Sequence, residues 1–201
     1  MELNDLTPQE IASRLAAQPE KEPDNPYPPS ILKGSIQPAA VLIPFLRHEG
    51  AWHLLFIRRT EARGDPHSGQ VAFPGGARDP SDGSAKEAAI REACEELGLS
   101  PEVVKILGKL NPLVTITNYL VTPVVGTIPW PYPLNPAPEE VSRVFTIPLS
   151  WLNDSTNRKT LDRELQNNTR ISVTYFKEYD SEILWGVSAR ITLELLETLQ
   201  F

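Results

Sequence analysis

Residues 84–99 have the sequence SAKEAAIREACEELGL, which is the most informative segment of the chain. A capping box runs from Ser84 to Glu87, which is a typical start of a helix. Gly98 is a typical residue just beyond a helix C-terminus, because glycine adopts the left-handed conformation easily. The sequence therefore predicts a helix from about Ala85 to Leu97.

This helix has two chemically different sides. At about 100° per residue, one arc of about 140° holds the apolar residues that we expect to face the core, namely Ala89, Ile90, Ala93, Cys94 and Leu97. A second arc of about 100°, on the opposite side, holds the carboxylates of Glu92, Glu95 and Glu96. The spacing predicts that three carboxylates converge on one patch.

Such a patch is costly unless a cation occupies it. Like charges four residues apart destabilise a helix by a few tenths of a kcal/mol, and acids in the last turns oppose the helix dipole. Mg²⁺ takes carboxylate oxygens, keeps several waters and shares its remaining positions with substrate phosphates. Arg91, four residues before Glu95, is placed to hold one carboxylate. The alternative is a charged face that only meets solvent.

Strand patterns lie on both sides of the helix. Two apolar, β-prone runs, Ala39–Leu46 and Trp52–Arg59, predict a hairpin that turns at residues 47–50. Further strands are predicted at 70–73, 103–110, 119–128 and 142–147, and a second hairpin at 171–176 and 182–185 precedes a helix at 187–199. Because strands precede and follow the central helix, the predicted fold class is α/β (α+β) with a mixed β-sheet.

The N-terminal segment differs from the rest. Thr7 to Glu10 forms a capping box with Pro8 at the first helical position, which predicts a short helix through Leu15 or Ala16. Four prolines follow between Glu20 and Ser30. We therefore predict a helix and proline-rich arm over residues 1–34 and one domain over residues 35–201.

Composition and charge exclude several classes of protein. Lys and Arg number 19 against 26 Asp and Glu, a net charge of −7, which disfavours a protein that binds nucleic acid by coating phosphates. The lone Cys94 excludes an internal disulfide and a cysteine-based zinc site. No secretory signal is visible, and the apolar stretch Pro38–Leu46 is too short to span a membrane. We expect a cytoplasmic protein without nucleic-acid or membrane partners, its oligomeric state left open.

The central motif resembles a known signature. Gly75-Gly76, a variable loop and then Arg91-Glu92-Ala93-Cys94-Glu95-Glu96-Leu97-Gly98-Leu99 are similar to the signature of the Nudix hydrolases. The resemblance implies an α/β/α sandwich and an enzyme that cleaves a nucleoside diphosphate linked to another moiety. It also implies Mg²⁺ or Mn²⁺ held by Glu92, Glu95 and Glu96, with Gly75 and Gly76 at the substrate.

The sequence departs from that signature in two ways. The family usually has a glutamate eight residues before the arginine, where this chain has Gly83, and the loop from Gly76 to Arg91 is one residue longer than usual. Asp82 is the candidate replacement for the glutamate. The departure affects the loop and leaves the acids of the helix intact.

Flanking residues resemble one branch of the family. Residues 54–59 and 67–76 look like the extra motif of the coenzyme A pyrophosphatase branch, and Ala77–Asp82 and the closing hairpin are similar to that branch as well. The resemblance implies hydrolysis of coenzyme A, or its oxidised and acylated forms, to 4′-phosphopantetheine and 3′,5′-ADP. The rival substrates are ADP-ribose, a dinucleotide or a nucleoside triphosphate. A non-catalytic binding module is a further alternative, although all three acids are present.

The remaining candidates would serve the substrate. The candidates that would bind its phosphates are the cationic residues Arg58, Arg59, Arg63 and His67. The alternative is that these side chains only meet solvent at a strand end or in a loop. The candidates for the general base are Glu95 and, as an alternative, Glu139 or Glu140. The last two lie on a loop that folds back over the metal site in this family. Five prolines stiffen that loop between 129 and 138. Its Trp130 and Tyr132 either stack on adenine or, as we favour, pack under the loop.

Overall fold

A computed structural model describes residues 3–28, 31–32, 34–61, 68–165 and 169–200. Within these ranges the chain forms four α-helices: α1 (Pro8–Ala17), α2 (Ala85–Leu97), α3 (Leu149–Asn153) and α4 (Gly186–Thr198). The strands are β1 (Gln37–His48), β2 (Ala51–Arg59), β3 (Val71–Ala72), β4 (Gly75–Ala77), β5 (Lys105–Lys109), β6 (Leu113–Val114), β7 (Tyr119–Thr127), β8 (Val141–Pro148), β9 (Arg158–Glu164), β10 (Arg170–Tyr179) and β11 (Glu182–Trp185).

The long strand β1 organises the main sheet. Its last four residues, from Phe45 to His48, pair antiparallel with β2, and the residues from Gln37 to Phe45 pair parallel with β7, with Ile43 opposite Val125. The sheet order is β3-β2-β1-β7-β5, with β4 on β1, β6 on β7 and β8 on β2. Parallel and antiparallel pairs therefore occur in one sheet, as the sequence predicts.

Helices cover both faces of this sheet. Side chains alternate along β1, so Leu42 packs on one face with Ala89 and Ala93 of α2. Ile43 packs on the other face, in the core shared with α1, α3 and α4. The predicted α/β/α sandwich is confirmed. No helix in the described part of the chain is both long and apolar enough to cross a membrane.

The N-terminal helix is part of the core. The predicted capping box is formed, since Thr7 Oγ1 accepts the N–H of Glu10 at 3.2 Å and Glu10 Oε2 accepts that of Thr7 at 2.8 Å. Ile11 and Leu15 are buried against the main sheet, and Arg14 donates to the carbonyl of Leu199. The boundary between residues 1–34 and 35–201 stays a prediction.

A second sheet follows, with order β11-β10-β9. The predicted C-terminal hairpin is present as β10 and β11. Strand β9 was not predicted, because six of its seven residues are exposed and it lacks apolar alternation. Glu182 of β11 is buried and pairs with Arg58 of β2 and Arg143 of β8, at 3.3 and 3.2 Å. These ion pairs join the two sheets.

Candidate functional site

Helix α2 begins and ends as its sequence predicts. Ser84 Oγ accepts the N–H of Glu87 at 3.2 Å, and Gly98, with φ of 67°, donates its N–H to the carbonyl of Cys94 at 2.9 Å. The caps fix which residues face the sheet. They therefore fix the positions of the glutamates.

Glu96 is the most deeply placed of the three glutamates. We expected it on the exposed side of α2, and this is wrong: the residue is 1% exposed and lies on the buried side with Ala89 and Ala93. That side of α2 lies against β1 and β4. The predicted apolar arc needs the matching correction, because Ala88 is buried whereas Ile90 and Cys94 are only partly buried.

Burial of the Glu96 carboxylate raises its pKa. Its Oε2 accepts the N–H of Gly75 at 2.8 Å, and its Oε1 lies 3.9 Å from Arg59 Nη1. The loss of water around the carboxylate raises the pKa of Glu96 to about 8, and the negative charges of Glu92 and Glu140 act in the same direction. A cation would reverse this effect by stabilising the ionised form.

Glu92 lies beside Glu96 at the edge of solvent, with 16% of its side chain exposed. Burial raises its pKa, an effect that Arg91 opposes and that the charges of Glu95 and Glu140 reinforce. Glu95, in contrast, has 56% of its side chain exposed and pairs with Arg91 at 3.0 Å. The structure therefore separates an inner pair, Glu92 and Glu96, from an outer carboxylate.

Arg91 ties the helix to the preceding loop. Its Nε and Nη2 donate to the two carboxylate oxygens of Asp82 at 3.1 and 2.9 Å, and Nη2 also donates to the carbonyl of Ala77. Its Nη1 donates to Glu92 and Glu95. These bonds with Arg91 lower the pKa of Asp82. Arg91 thus positions Glu92 and Glu95, and Asp82 holds the Arg91 side chain in place.

The two glycines bring β4 against the glutamates. Gly75 has φ of 150°, and a β-carbon there would lie 2.4 Å from the carbonyl oxygen of Ala40. A β-carbon on Gly76 would lie 2.5 Å from Glu92 Oε2. Both positions were predicted to meet substrate. In the structure Gly75 donates its N–H to Glu96, and Gly76 leaves room for the Glu92 carboxylate.

The predicted cationic residues do not all meet at this site. Arg59 follows Ile57 on the face of β2 that α2 covers, and it reaches Glu96. Arg58 points to the other face, because side chains alternate along a strand, and it pairs there with Glu182. Arg58 therefore lies away from the glutamates. Arg63 and His67 lie outside the described residues.

The proline-rich loop folds back onto the end of α2. The N–H groups of Asn135 and Ala137 donate to the carbonyls of Leu97 and Glu96, at 2.9 and 3.0 Å. The resemblance implied a loop that folds back over the metal site, but not these two contacts, although the last carbonyls of any helix need donors. Trp130 and Tyr132 pack partly buried against the core beneath α2, in agreement with the favoured alternative.

Glu140, at the end of this loop, is exposed. Its carbonyl accepts the N–H of Thr60 at 2.8 Å, which holds it beside the end of β2. The charge of Glu140 raises the pKa of both Glu92 and Glu96. Of these two carboxylates, the charge of Glu95 raises the pKa of Glu92 only. Of the predicted bases, Glu140 is therefore the one whose charge raises the pKa of both inner carboxylates.

The donor set fits a divalent cation, although it is not fully assembled. Across the described ranges, no three side chains among His, Cys, Asp and Glu are gathered closely enough to hold a metal ion as they stand. The inner pair Glu92 and Glu96 nevertheless offers oxygen ligands whose mutual repulsion a cation would remove. These residues fit Mg²⁺ or Mn²⁺ and would need Glu95, Glu140 or substrate oxygens to complete the ligand shell.

The NUDIX domain family model matches residues 36–168, which include β1, α2 and the proline-rich loop. The chain belongs to the Nudix family. The predicted family is thereby confirmed, and so is the predicted enzyme class, a Nudix-type diphosphatase acting on acid anhydrides.

Curated relatives agree with this assignment. A protein described as "Uncharacterized Nudix hydrolase NudL" from Enterobacter sp. (strain 638) is 42% identical over 158 residues, covering 78% of this chain and 80% of the relative. Proteins of the same description from Photorhabdus laumondii and Escherichia coli K12 are 37% and 41% identical, and cover 87% and 78% of this chain and 91% and 80% of their own lengths. The coenzyme A branch is compatible with these relatives.

Solved structures show the same fold. A Nudix hydrolase from M. smegmatis, RenU, aligns with a TM-score of 0.50 and 24% identity over 61% of this chain and 76% of its own. A MutT/nudix family protein from Enterococcus faecalis aligns with a TM-score of 0.52 and 16% identity over 84% of this chain and 69% of its own. At these identities the comparison shows the Nudix fold alone.

Proposed function

We propose that this Nudix hydrolase cleaves the diphosphate bond of coenzyme A, or of its oxidised and acylated forms, to 4′-phosphopantetheine and 3′,5′-ADP. The observation that carries the proposal is the buried Glu96 carboxylate, held by the N–H of Gly75 beside Arg59 and Glu92. The choice of coenzyme A rests on the resemblance of residues 54–59 and 67–82 to that branch.

The metal is proposed to be Mg²⁺ or Mn²⁺, held by Glu92 and Glu96 with Glu95 as an outer ligand. Such an ion, when bound, neutralises diphosphate oxygens and lowers the pKa of the attacking water. Arg59 binds a diphosphate oxygen, as its position beside Glu96 allows. Arg91 keeps Glu92 and Glu95 in place through its bonds to both.

We assign the general base to Glu140. In hydrolysis, the oxygen of a water molecule attacks phosphorus, the bond from phosphorus to the bridging oxygen breaks, and one water proton must go to a carboxylate. Glu140 is exposed and close enough to both inner glutamates to affect their ionisation. Glu95 is the alternative, since its charge also raises the pKa of Glu92.

We also propose that the protein acts in the cytoplasm. The lone Cys94 supports this location, because a reducing compartment disfavours disulfide bonds.

A substrate panel tests the proposal. The purified protein is incubated with Mg²⁺ or Mn²⁺ and, separately, with coenzyme A, ADP-ribose, NADH and nucleoside triphosphates, and the products are separated by chromatography. We expect coenzyme A to be consumed with formation of 3′,5′-ADP and 4′-phosphopantetheine in equal amounts. Survival of coenzyme A while another compound is cleaved would show that the substrate assignment is wrong.

A further inference from the structure

The turn that carries Glu140 is attached to two separate parts of the fold. Ala137 donates its N–H to the carbonyl of Glu96 at the end of α2, at 3.0 Å. The N–H groups of Glu140 and Val141 both donate to the carbonyl of Ala137, at 3.0 and 2.8 Å, and these two bonds close the turn. The other attachment is to Thr60, the residue that follows β2. Glu140 therefore lies between the end of α2 and the end of β2.

Thr60 holds this turn at two points. Its N–H donates to the carbonyl of Glu140 at 2.8 Å, and its hydroxyl Oγ1 donates to the carbonyl of Pro138 at 2.9 Å. Both distances are those of ordinary hydrogen bonds. The N–H bond alone fixes a single point, about which the turn could rotate. The hydroxyl bond adds a second point two residues away, so the two bonds together fix the orientation of the turn.

A β-bulge lies beside the same contact. Arg58 pairs with Arg143 of β8 whereas Arg59 pairs with Val141, so Ser142 is the extra residue of β8. The hydroxyl of Ser142 donates to the carbonyl of Arg58 at 3.1 Å. Bulges bend a strand and re-aim its side chains, and here the bulge directly follows the turn. The entry into β8 is therefore set by local contacts with the end of β2.

The end of β2 contacts both groups that the proposed reaction needs. Arg59 Nη1 lies 3.9 Å from Glu96 Oε1, and the next residue, Thr60, holds the turn. Glu140 lies close to the inner carboxylates, since its charge raises the pKa of Glu92 and of Glu96. In the described part of the chain, no side chain donates a hydrogen bond to the Glu140 carboxylate. The position of this carboxylate therefore depends on the backbone of its turn.

We propose that Thr60 is a positioning residue, whose hydroxyl holds the turn so that Glu140 reaches the attacking water. The role of Glu140 as the base rests on the proposed function. A base must lie within hydrogen-bond reach of the proton that it takes, so a small rotation of the turn lowers the rate even when metal and substrate still bind. Thr60 is partly exposed and Pro138 is exposed, so water can replace the lost partner and the fold should not need the hydroxyl.

Two substitutions separate the hydroxyl from the rest of the side chain. Thr60→Val keeps the branched shape and the backbone N–H but removes the donor, whereas Thr60→Ser keeps the donor. The compound that the substrate panel shows to be cleaved serves as substrate. We expect kcat to fall about tenfold in Thr60→Val and to stay within about twofold of the native value in Thr60→Ser. KM and the melting temperature should be native in both variants.

Thr160→Val is the matched control. It makes the same change at an exposed residue of β9, where the Thr160 hydroxyl lies 3.3 Å from that of Thr174. This hydroxyl belongs to the second sheet and holds no part of the turn. We expect kcat of Thr160→Val to equal that of the native protein.

A double-mutant cycle shows whether Thr60 acts through Glu140. In the Glu140→Gln background no base remains to be positioned, so Thr60→Val should cause no further loss of rate. A hydroxyl with a separate structural role would lower the rate by the same factor in both backgrounds. That result, or a native kcat in Thr60→Val, would overturn the inference.

Amide hydrogen exchange tests the turn without substrate. The amides of Glu140 and Val141 close the turn, and we expect them to exchange several-fold faster in Thr60→Val than in the native protein or in Thr60→Ser. Equal exchange in Thr60→Val and the native protein would show that the hydroxyl does not hold the turn.

The outcomes distinguish this inference from the proposed function. A slow Glu140→Gln together with a native Thr60→Val retains the proposed base and rejects the role of Thr60. Full activity of Glu140→Gln rejects the proposed base and the inference with it. Cleavage of a compound other than coenzyme A rejects the proposed substrate, and the predicted pattern of rates with that compound still supports the role of Thr60.

Discussion

Gly76 lies against the carboxylate of Glu92, and a β-carbon at position 76 would stand 2.5 Å from Glu92 Oε2. Glycine is needed there for space, because no positive φ is found at this residue. The atoms that would have to move are at the far end of the Glu92 side chain. The close approach therefore controls where the Glu92 carboxylate lies and leaves the fold largely unaffected.

We expect Gly76→Ala to keep the fold and lose activity. The displaced Glu92 carboxylate should raise the metal concentration needed for half-maximal activity at least about tenfold. The melting temperature should stay close to that of the native protein. Gly83→Ala, in the loop before α2, is the control and should have native activity. A native metal titration for Gly76→Ala would contradict the role of this contact.

Gly75→Ala should behave in the opposite manner. Its added β-carbon meets the backbone of β1, and its φ of 150° is rarely adopted by other residues. We expect a loss of stability on the order of 1–3 kcal/mol, measured by urea unfolding. An unchanged midpoint would show that β4 can move away from Ala40.

Glu96→Gln separates chemistry from stability. We expect a loss of rate of at least about a hundredfold, because the amide cannot supply the anionic oxygen that a cation needs. The amide oxygen can still accept the N–H of Gly75, so the fold should be retained. Glu197→Gln, on the exposed side of α4, is the matched control. Near-normal turnover of Glu96→Gln would remove Glu96 from the metal site.

The raised pKa of Glu96 makes the metal-free protein less stable at alkaline pH. Its folded-state pKa is about 8 and its ordinary value is 4.5, so the folded state binds more protons between these values. Stability should therefore fall from pH 4.5 and level off above pH 8, by on the order of a few kcal/mol. Melting curves should show a flatter pH dependence in Glu96→Gln. Mg²⁺ should raise the melting temperature more at pH 8.5 than at pH 6, and equal shifts would contradict this linkage.

Arg91→Lys tests positioning at constant charge. Lysine cannot reproduce the two-pronged contact with Asp82 while also reaching Glu92 and Glu95. We expect the metal requirement to rise several-fold more than the KM for substrate. Arg170→Lys, an exposed residue of β10, is the control. Equal effects on the two constants would indicate general destabilisation instead.

Glu140→Gln tests the base. We expect kcat to fall by about two orders of magnitude or more, with loss of the acidic limb of the pH–rate profile. Glu139→Gln changes the adjacent exposed residue and should leave both unchanged. If Glu140→Gln retains its rate while Glu95→Gln loses it, the base is Glu95.

Local signals were sufficient for the helix but not for its orientation. The caps at Ser84 and Gly98 gave the limits of α2, since both act within a few residues of the chain. The burial of Glu96 was missed because a division into one polar and one apolar face cannot show that a charged residue lies against a glycine-lined strand. That contact joins Gly75 and Glu96, which are 21 residues apart.

The adjacent arginines show a second limit. Both Arg58 and Arg59 were predicted to bind the substrate, although side chains alternate along a strand and neighbours must therefore lie on opposite faces. Which face carries the glutamates depends on where α2 packs, and the partner of Arg58 is Glu182, at a sequence separation of 124. No pattern within a short window contains that information.

The proline-rich loop is attached at two places, by Trp130 to His48 at the tip of the first hairpin and by Asn135 and Ala137 to the end of α2. The five prolines of the loop have no backbone N–H, and the N–H groups of Asn135 and Ala137 both donate to the end of α2. The chain between these attachments therefore fixes how far the tip of the first hairpin lies from the end of α2. Lengthening it by one residue would shift the backbone of Glu96 relative to that hairpin.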